Sequence, residues 1–237
     1  MLLFFYQKKV IYQPGEQSFE DCAPLEKYEK IAYNGTRFYL KQQSDEAIVF
    51  YHGNGGSACG RSERLAPLFE SSGKSVLFVE YAGYAGEKRQ TSKKLILQDV
   101  KNVVNFLNQN NYKNITIVGE SIGTGAASYH SFLQSPERMI LISPFTSIKD
   151  IATSTFYMFP TSIILTEDYT NDIWLNEYSK ELLIIHGKED KAISPALSKR
   201  LFENVPSLNK TYIEVDGATH NDLYSFDEVM EKMKEFI

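Results

Sequence analysis

The stretch Ile115-Thr116-Ile117-Val118-Gly119-Glu120-Ser121-Ile122-Gly123-Thr124-Gly125-Ala126-Ala127 decides how this chain is read. Its first four residues are β-branched and suit a buried strand, whereas the residues from Ala126 onward suit a tightly packed helix. Gly119-Glu120-Ser121-Ile122-Gly123 therefore falls on a sharp strand-to-helix turn, a nucleophile elbow. Such a turn holds the serine in a sparsely populated backbone conformation and lifts its hydroxyl above the sheet edge. Glycine is expected at 119 and 123 because a side chain at either would collide with the neighbouring strand and helix. Chance supplies about 0.07 such matches in a chain of this composition, so the context must decide.

Working outward, short apolar runs alternate with helical spacing. Tyr28 to Tyr33 and Thr36 to Lys41 flank Asn34-Gly35, a hairpin signal at one sheet edge. Ala47 to Tyr51 is an uninterrupted apolar strand ending in His52-Gly53-Asn54-Gly55-Gly56, and Ser57 to Ser72 has helical spacing. Ser75 to Glu80 is a strand closing in Tyr81-Ala82-Gly83-Tyr84, and Thr91 to Asn110 is the helix before the elbow strand. After Met139 to Ser143, alternation resumes only with Leu182 to Ile185, a helix from Pro195 to Asn204, a strand from Thr211 to Val215 and a closing helix from Asp222 to Ile237. This alternation predicts an α/β protein with a doubly wound, mostly parallel sheet. Residues 1–237 read as one domain, and the interruption at 145–178, with Phe156, Tyr157, Phe159 and Trp174, reads as a small helical cap over the site.

The composition narrows the function. With 237 residues, 43% hydrophobic and 23% charged, the chain can bury a sizeable core. A net charge of −5 gives no electrostatic footprint for nucleic acid. Cys22 and Cys59 have no paired spacing and no nearby histidine pattern. They read as free thiols in a reducing, cytoplasmic setting, with no metal and no cofactor. The amino end, Met1-Leu2-Leu3-Phe4-Phe5-Tyr6 followed by Gln7-Lys8-Lys9, is too short to span a bilayer and lacks the order of a signal peptide. It reads as an element packed on the domain surface, with peripheral membrane contact through residues 1–9 as the competing reading.

In a parallel sheet the functional groups gather at the carboxyl ends of the strands. A serine hydroxyl needs a positioned base, and the base needs an acid to fix its tautomer. His220, on the loop after the last strand, can swing over Ser121. His130 lies within the helix after the elbow, and His52 and His186 suit structural roles in their turns. Asp190 is the candidate acid, with Glu189, Asp168 and Asp172 as competitors and Asp216 as the fallback. The order Ser121, Asp190, His220 fits this architecture. The developing oxyanion needs two amide donors, for which Ile122 and Asn54 are the candidates. Gly53, Gly55, Tyr84, Phe156 and Phe159 are the candidate substrate-binding residues.

The motifs Val10-Ile11-Tyr12-Gln13-Pro14, Tyr51-His52-Gly53-Asn54-Gly55-Gly56, Tyr81-Ala82-Gly83-Tyr84, Gly119-Glu120-Ser121-Ile122-Gly123, Ser143-Pro144-Phe145-Thr146-Ser147, His186-Gly187-Lys188-Glu189-Asp190 and Gly217-Ala218-Thr219-His220-Asn221-Asp222 stand in one order. With them the chain resembles the α/β-hydrolase superfamily over nearly its whole length. More narrowly, it is similar to the Bem46-like serine hydrolases, which include membrane-associated protein depalmitoylases. The resemblance implies hydrolysis of acyl esters or thioesters, small or lipid-like, through an acyl-enzyme, with nucleophile, acid and base on Ser121, Asp190 and His220. A non-catalytic binding protein on the same fold and a small-peptide serine peptidase are the alternatives.

Overall fold

The computed structural model describes residues 2–155 and 165–237. Helix α1 (Leu2–Ile11) leads into a two-residue strand β1 (Gln13–Pro14), then β2 (Glu29–Tyr33), β3 (Thr36–Lys41), β4 (Glu46–Tyr51) and β5 (Gly55–Gly56). Helix α2 (Ala58–Glu70), β6 (Ser75–Glu80), α3 (Lys93–Gln109), β7 (Lys113–Glu120), α4 (Gly123–Leu133), β8 (Arg138–Ile142) and α5 (Ile148–Thr155) follow. Beyond a short helix at Asn171–Trp174 come β9 (Glu181–Gly187), a helix at Pro195–Asn204, β10 (Lys210–Val215) and a closing helix at Asp227–Phe236.

Eight strands form one sheet in the order β10-β9-β8-β7-β4-β6-β3-β2, while β1 pairs with β5. Only β3 runs against the others, because it is antiparallel to both β2 and β6. The hairpin joining β2 to β3 turns on Asn34 and Gly35, both at positive φ (50° and 83°), as a two-residue turn of this hand requires.

Alternate residues of each central strand feed opposite faces. Val49, Tyr51, Ile117, Met139, Leu141 and Ile184 pack with α3, α4 and the helix Pro195–Asn204. Their neighbours Ile48, Phe50, Val118, Ile140 and Ile185 pack with α2 and the closing helix. A strand covered on both faces has no use for polar residues, which is why these strands read as continuous apolar runs.

Within 145–178, α5 and the short helix Asn171–Trp174 are joined by a bridge between Ser147 and Thr170. Phe156, Tyr157 and Phe159 lie outside the described residues.

One expectation is overturned. Cys22 and Cys59 are joined in a disulfide, with Cα atoms 5.8 Å apart. Cys22 caps the 3₁₀ turn Ala23–Leu25, which packs on α2, where Cys59 sits in the first turn. The 37-residue separation carried no signal because tertiary packing alone brings the two together. The free-thiol argument for a reducing, cytoplasmic setting goes with it. Closing a loop of this length stabilises by about 3–4 kcal/mol in the chain-entropy treatment. The double variant Cys22→Ala/Cys59→Ala is accordingly expected to unfold at lower denaturant. In the variant, addition of dithiothreitol leaves the midpoint unchanged, whereas in the wild type it lowers it.

Candidate active site

Ser121 follows β7 immediately and has φ 52°, the left-handed region that a side chain rarely occupies. Its amide donates to the Ile142 carbonyl of β8 (2.8 Å), and its carbonyl accepts from the Thr124 amide (2.9 Å), so both sides of the strained residue are fixed. The flanking glycines are demanded by space. A Cβ on Gly119 would lie 2.8 Å from the Ala127 side chain, and one on Gly123 would lie 2.1 Å from the Tyr51 carbonyl oxygen.

The structure brings Ser121, His220 and Asp190 together. His220 Nε2 is 3.0 Å from Ser121 Oγ, and its Nδ1 is 2.7 Å from Asp190 Oδ2. An ionised carboxylate at Nδ1 puts the imidazole proton there and leaves Nε2 to accept from the serine hydroxyl. Asp190 is buried, and burial alone would raise its pKa. Hydrogen bonds from His186 and His220 and from the Ile193 amide outweigh this and hold the carboxyl well below the usual range. Its Oδ1 accepts from the amides of Ala192 and Ile193, both at 2.8 Å. Glu189 is exposed, Asp216 pairs with Lys188 (2.7 Å) and Asp168 accepts from the Lys149 amide (3.0 Å). Asp172 accepts from the Ile173 amide, so none of the four competitors bonds to His220 among the described residues.

The other histidines are structural. His130 is buried against the Tyr51 hydroxyl (2.8 Å), and burial pushes its pKa down to about 3. His52 Nδ1 lies 2.7 Å from the Gly53 carbonyl, and His186 Nε2 faces the Ile193 carbonyl (3.0 Å) and Asp190 Oδ2 (3.2 Å).

Ser121 opens onto a cleft of about 520 Å³. Val10 and Ile11 of α1, Ile148, Ile151 and Ala152 of α5, together with Ile122, Phe145, Leu165 and Ile193, make most of its wall. Asn54, Gly55, Gln13 and Arg61 form a polar end. The Asn54 peptide is pinned through its carbonyl, which accepts from the Gln13 amide (3.1 Å) and the Tyr84 hydroxyl (2.9 Å).

Two expected substrate-binding residues stand elsewhere. Tyr84 is fully buried, with its hydroxyl spent on the Asn54 carbonyl. Together with Tyr81, which donates to the His52 carbonyl (2.9 Å), it braces the loop from behind. Gly53 is buried under the loop, where a Cβ would lie 2.9 Å from Glu120 Oε1. Arg61 and Asn221 line the cleft although the sequence reading passed over them. Asn221 adjoins the histidine of its motif. Arg61, one turn into α2, carried no motif signal at all.

An α/β sheet with a serine elbow and a histidine loop at its strand ends defines an α/β hydrolase, and the chain is a hydrolase of that class. The family model described as serine aminopeptidase, S33, matches residues 42–165, more than half of the chain, and the protein belongs to that family. The uncharacterized protein Rv2307c of Mycobacterium tuberculosis is 28% identical over 235 residues, covering 94% of this chain and 83% of the relative. Lysophosphatidylserine lipase ABHD12 of Gallus gallus is 25% identical over 224 residues, covering 82% of this chain but 58% of that longer protein. The structure of the Pyrococcus furiosus esterase Pf2001 shares the fold, with a TM-score of 0.75 at 18% identity over 94% of this chain and 97% of that one.

A depressed folded-state pKa stabilises above the unfolded value of about 3.9, and that contribution is lost as pH falls through the folded value. The stability difference between wild type and Asp190→Asn, measured by urea unfolding, is therefore expected to be largest at neutral pH. It should shrink as the pH is taken below about 4.

Proposed function

We propose that the protein is a serine hydrolase that cleaves carboxylic esters or acyl thioesters whose acyl group is apolar. The observation that carries this reading is the Ser121 hydroxyl, 3.0 Å from His220 Nε2, at the floor of a mostly aliphatic cleft. Ser121 Oγ attacks the acyl carbonyl carbon while its proton passes to His220 Nε2. Asp190 stabilises the imidazolium through Nδ1. The amides of Ile122 and Asn54 are the donors suited to the developing oxyanion, each worth about 2.7–4 kcal/mol in comparable sites. The tetrahedral species collapses, and the alcohol or thiol leaves with the proton from His220. A water molecule, deprotonated by His220, then releases the acid and restores Ser121.

The family's name raises peptide substrates, but the cleft favours esters. An aminopeptidase must hold the free α-ammonium of its substrate. Among the described residues lining the cleft there is no carboxylate, and its Arg61 is a cation already paired with Glu120. A relative named as a lysophosphatidylserine lipase and a structural neighbour named as an esterase support the same direction.

Peripheral membrane contact belongs to this reading. The helix that begins Leu2-Leu3-Phe4-Phe5-Tyr6 supplies Val10 and Ile11 to the cleft wall, and Val10 is 61% exposed. A lipid surface meeting that helix would lie beside the acyl entrance. No helix among the described residues is long and apolar enough to cross a membrane.

Ser121→Ala is expected to lower turnover of p-nitrophenyl esters by at least about 10³-fold and to abolish fluorophosphonate labelling, with stability within about 0.5 kcal/mol of wild type. A variant that kept most of its activity would remove Ser121 from the mechanism. Across acyl chains from acetate to palmitate, kcat/KM should rise with chain length. The wild type should cosediment with phosphatidylcholine vesicles more than Phe4→Glu/Phe5→Glu does; equal recovery in the supernatant would exclude the membrane contact.

A further inference from the structure

The residue between Gly119 and Ser121 is a carboxylate that the chemistry above leaves unused. Glu120 ends β7 and is only 8% exposed, and a carboxylate in such a place must be paired. Its partners come from α2 and from the turn after His220. Arg61 Nε donates to Oε1 (2.9 Å) and Oε2 (3.0 Å), and Arg61 Nη2 reaches on to the Gly55 carbonyl (3.4 Å). The Tyr224 hydroxyl donates to Oε2 (3.0 Å). Gly53 lies against the same group, since a Cβ there would stand 2.9 Å from Oε1.

Arg61, on α2, ties Glu120 to the loop at Asn54 through the Gly55 carbonyl, and Tyr224 ties it to the segment of His220. Gly53 and Gly55 flank Asn54. Tyr224 lies in the 3₁₀ turn Leu223–Ser225, which begins three residues after His220. Glu120 itself is bonded covalently to Ser121. We propose that Glu120 is a positioning residue: its carboxylate, through Arg61 and Tyr224, holds the elbow, the loop at Asn54 and the loop at His220 in one mutual geometry. Arg61 and Tyr224 also wall a separate polar cavity of about 360 Å³ that meets the acyl cleft at His220. Loosening the network therefore lets the histidine loop move toward that space. This inference rests on the hydrolase mechanism proposed above.

A plain structural ion pair and a positioning network differ in what they change. Loss of the first lowers stability and leaves the chemistry of the folded fraction intact. Loss of the second misaligns groups that must meet within a few tenths of an ångström, and misplacement on the order of 1 Å costs about 10²-fold in rate. The test compares wild type, Glu120→Gln and Tyr224→Phe on one p-nitrophenyl ester, with melting temperature and the second-order rate of fluorophosphonate labelling measured on the same samples. Expected are a fall in kcat of about 10–100-fold for Glu120→Gln and about 3–10-fold for Tyr224→Phe, with KM within about twofold and labelling slowed in parallel. Glu120→Asp, which keeps the charge but shortens the reach, should not restore kcat. Variants that melt at a lower temperature but retain wild-type kcat and labelling rate would overturn the inference while leaving the hydrolase reading intact. A wild type inert toward ester and fluorophosphonate alike would overturn both. Should Glu120→Gln fail to fold, Tyr224→Phe, which deletes a single hydroxyl, decides alone.

Discussion

The helix after the elbow starts so close to the end of β4 that the site has one way to be built. At Gly123 a Cβ would stand 2.1 Å from the Tyr51 carbonyl oxygen and 2.5 Å from that of His52. Only glycine permits the approach. Because β4 and β7 are neighbours in the sheet, with Tyr51 opposite Gly119, the approach sets the amides of Ile122 and Asn54 on adjacent strand ends. It also leaves Ser121 at φ 52°, a strain that its bonds to Ile142 and Thr124 sustain. The loops bearing Asp190 and His220 follow β9 and β10, and need only reach across the same edge.

That regularity explains what the sequence revealed. In a parallel sheet every strand delivers its carboxyl end to one edge, so chain order and strand ends suffice to nominate Ser121, Asp190 and His220. The apolar runs marked the strands within a residue or two, and Asn34-Gly35 marked the hairpin. Hidden from the sequence was everything that depends on what lies across a gap. Tyr84 stood at a strand end like a lining residue, but nothing in its neighbours told whether the ring would face the cleft or the back of the Asn54 loop. Cys22 and Cys59 had no spacing to betray their bond. Arg61 sat on a helix as an ordinary surface cation, and its value comes from Glu120, 59 positions away.

Burial sorts the four histidines. His52, His130 and His186 are each buried at 0–1% exposure, with a ring nitrogen against the Gly53 carbonyl, the Tyr51 hydroxyl and the Ile193 carbonyl respectively. The His220 side chain is 17% exposed and meets both cleft and carboxylate. In the proposed mechanism the general base gains a proton and loses it in each turnover, and partial exposure beside Asp190 suits His220 to that part. His186 contributes indirectly: placed 3.2 Å from Asp190 Oδ2, it helps to keep that carboxyl ionised.

The floor and the walls of the cleft obey different constraints. The floor, made of Asn54, Ser121 and Ile122, is dictated by close backbone approaches that tolerate few substitutions. Much of the wall comes from α1 and α5, which lie outside the sheet. Yet these walls are not loose. Gln7 Oε1 accepts from the amides of Thr166 (2.9 Å) and Glu167 (3.3 Å), and the Tyr12 hydroxyl donates to Glu167 (2.7 Å). The first helix and residues 166–167 are thereby fastened together beside the cleft. On the proposed reading, side chains there shape the acyl-facing wall without reaching the reacting atoms, so selectivity and chemistry would sit in parts of the fold that can change independently.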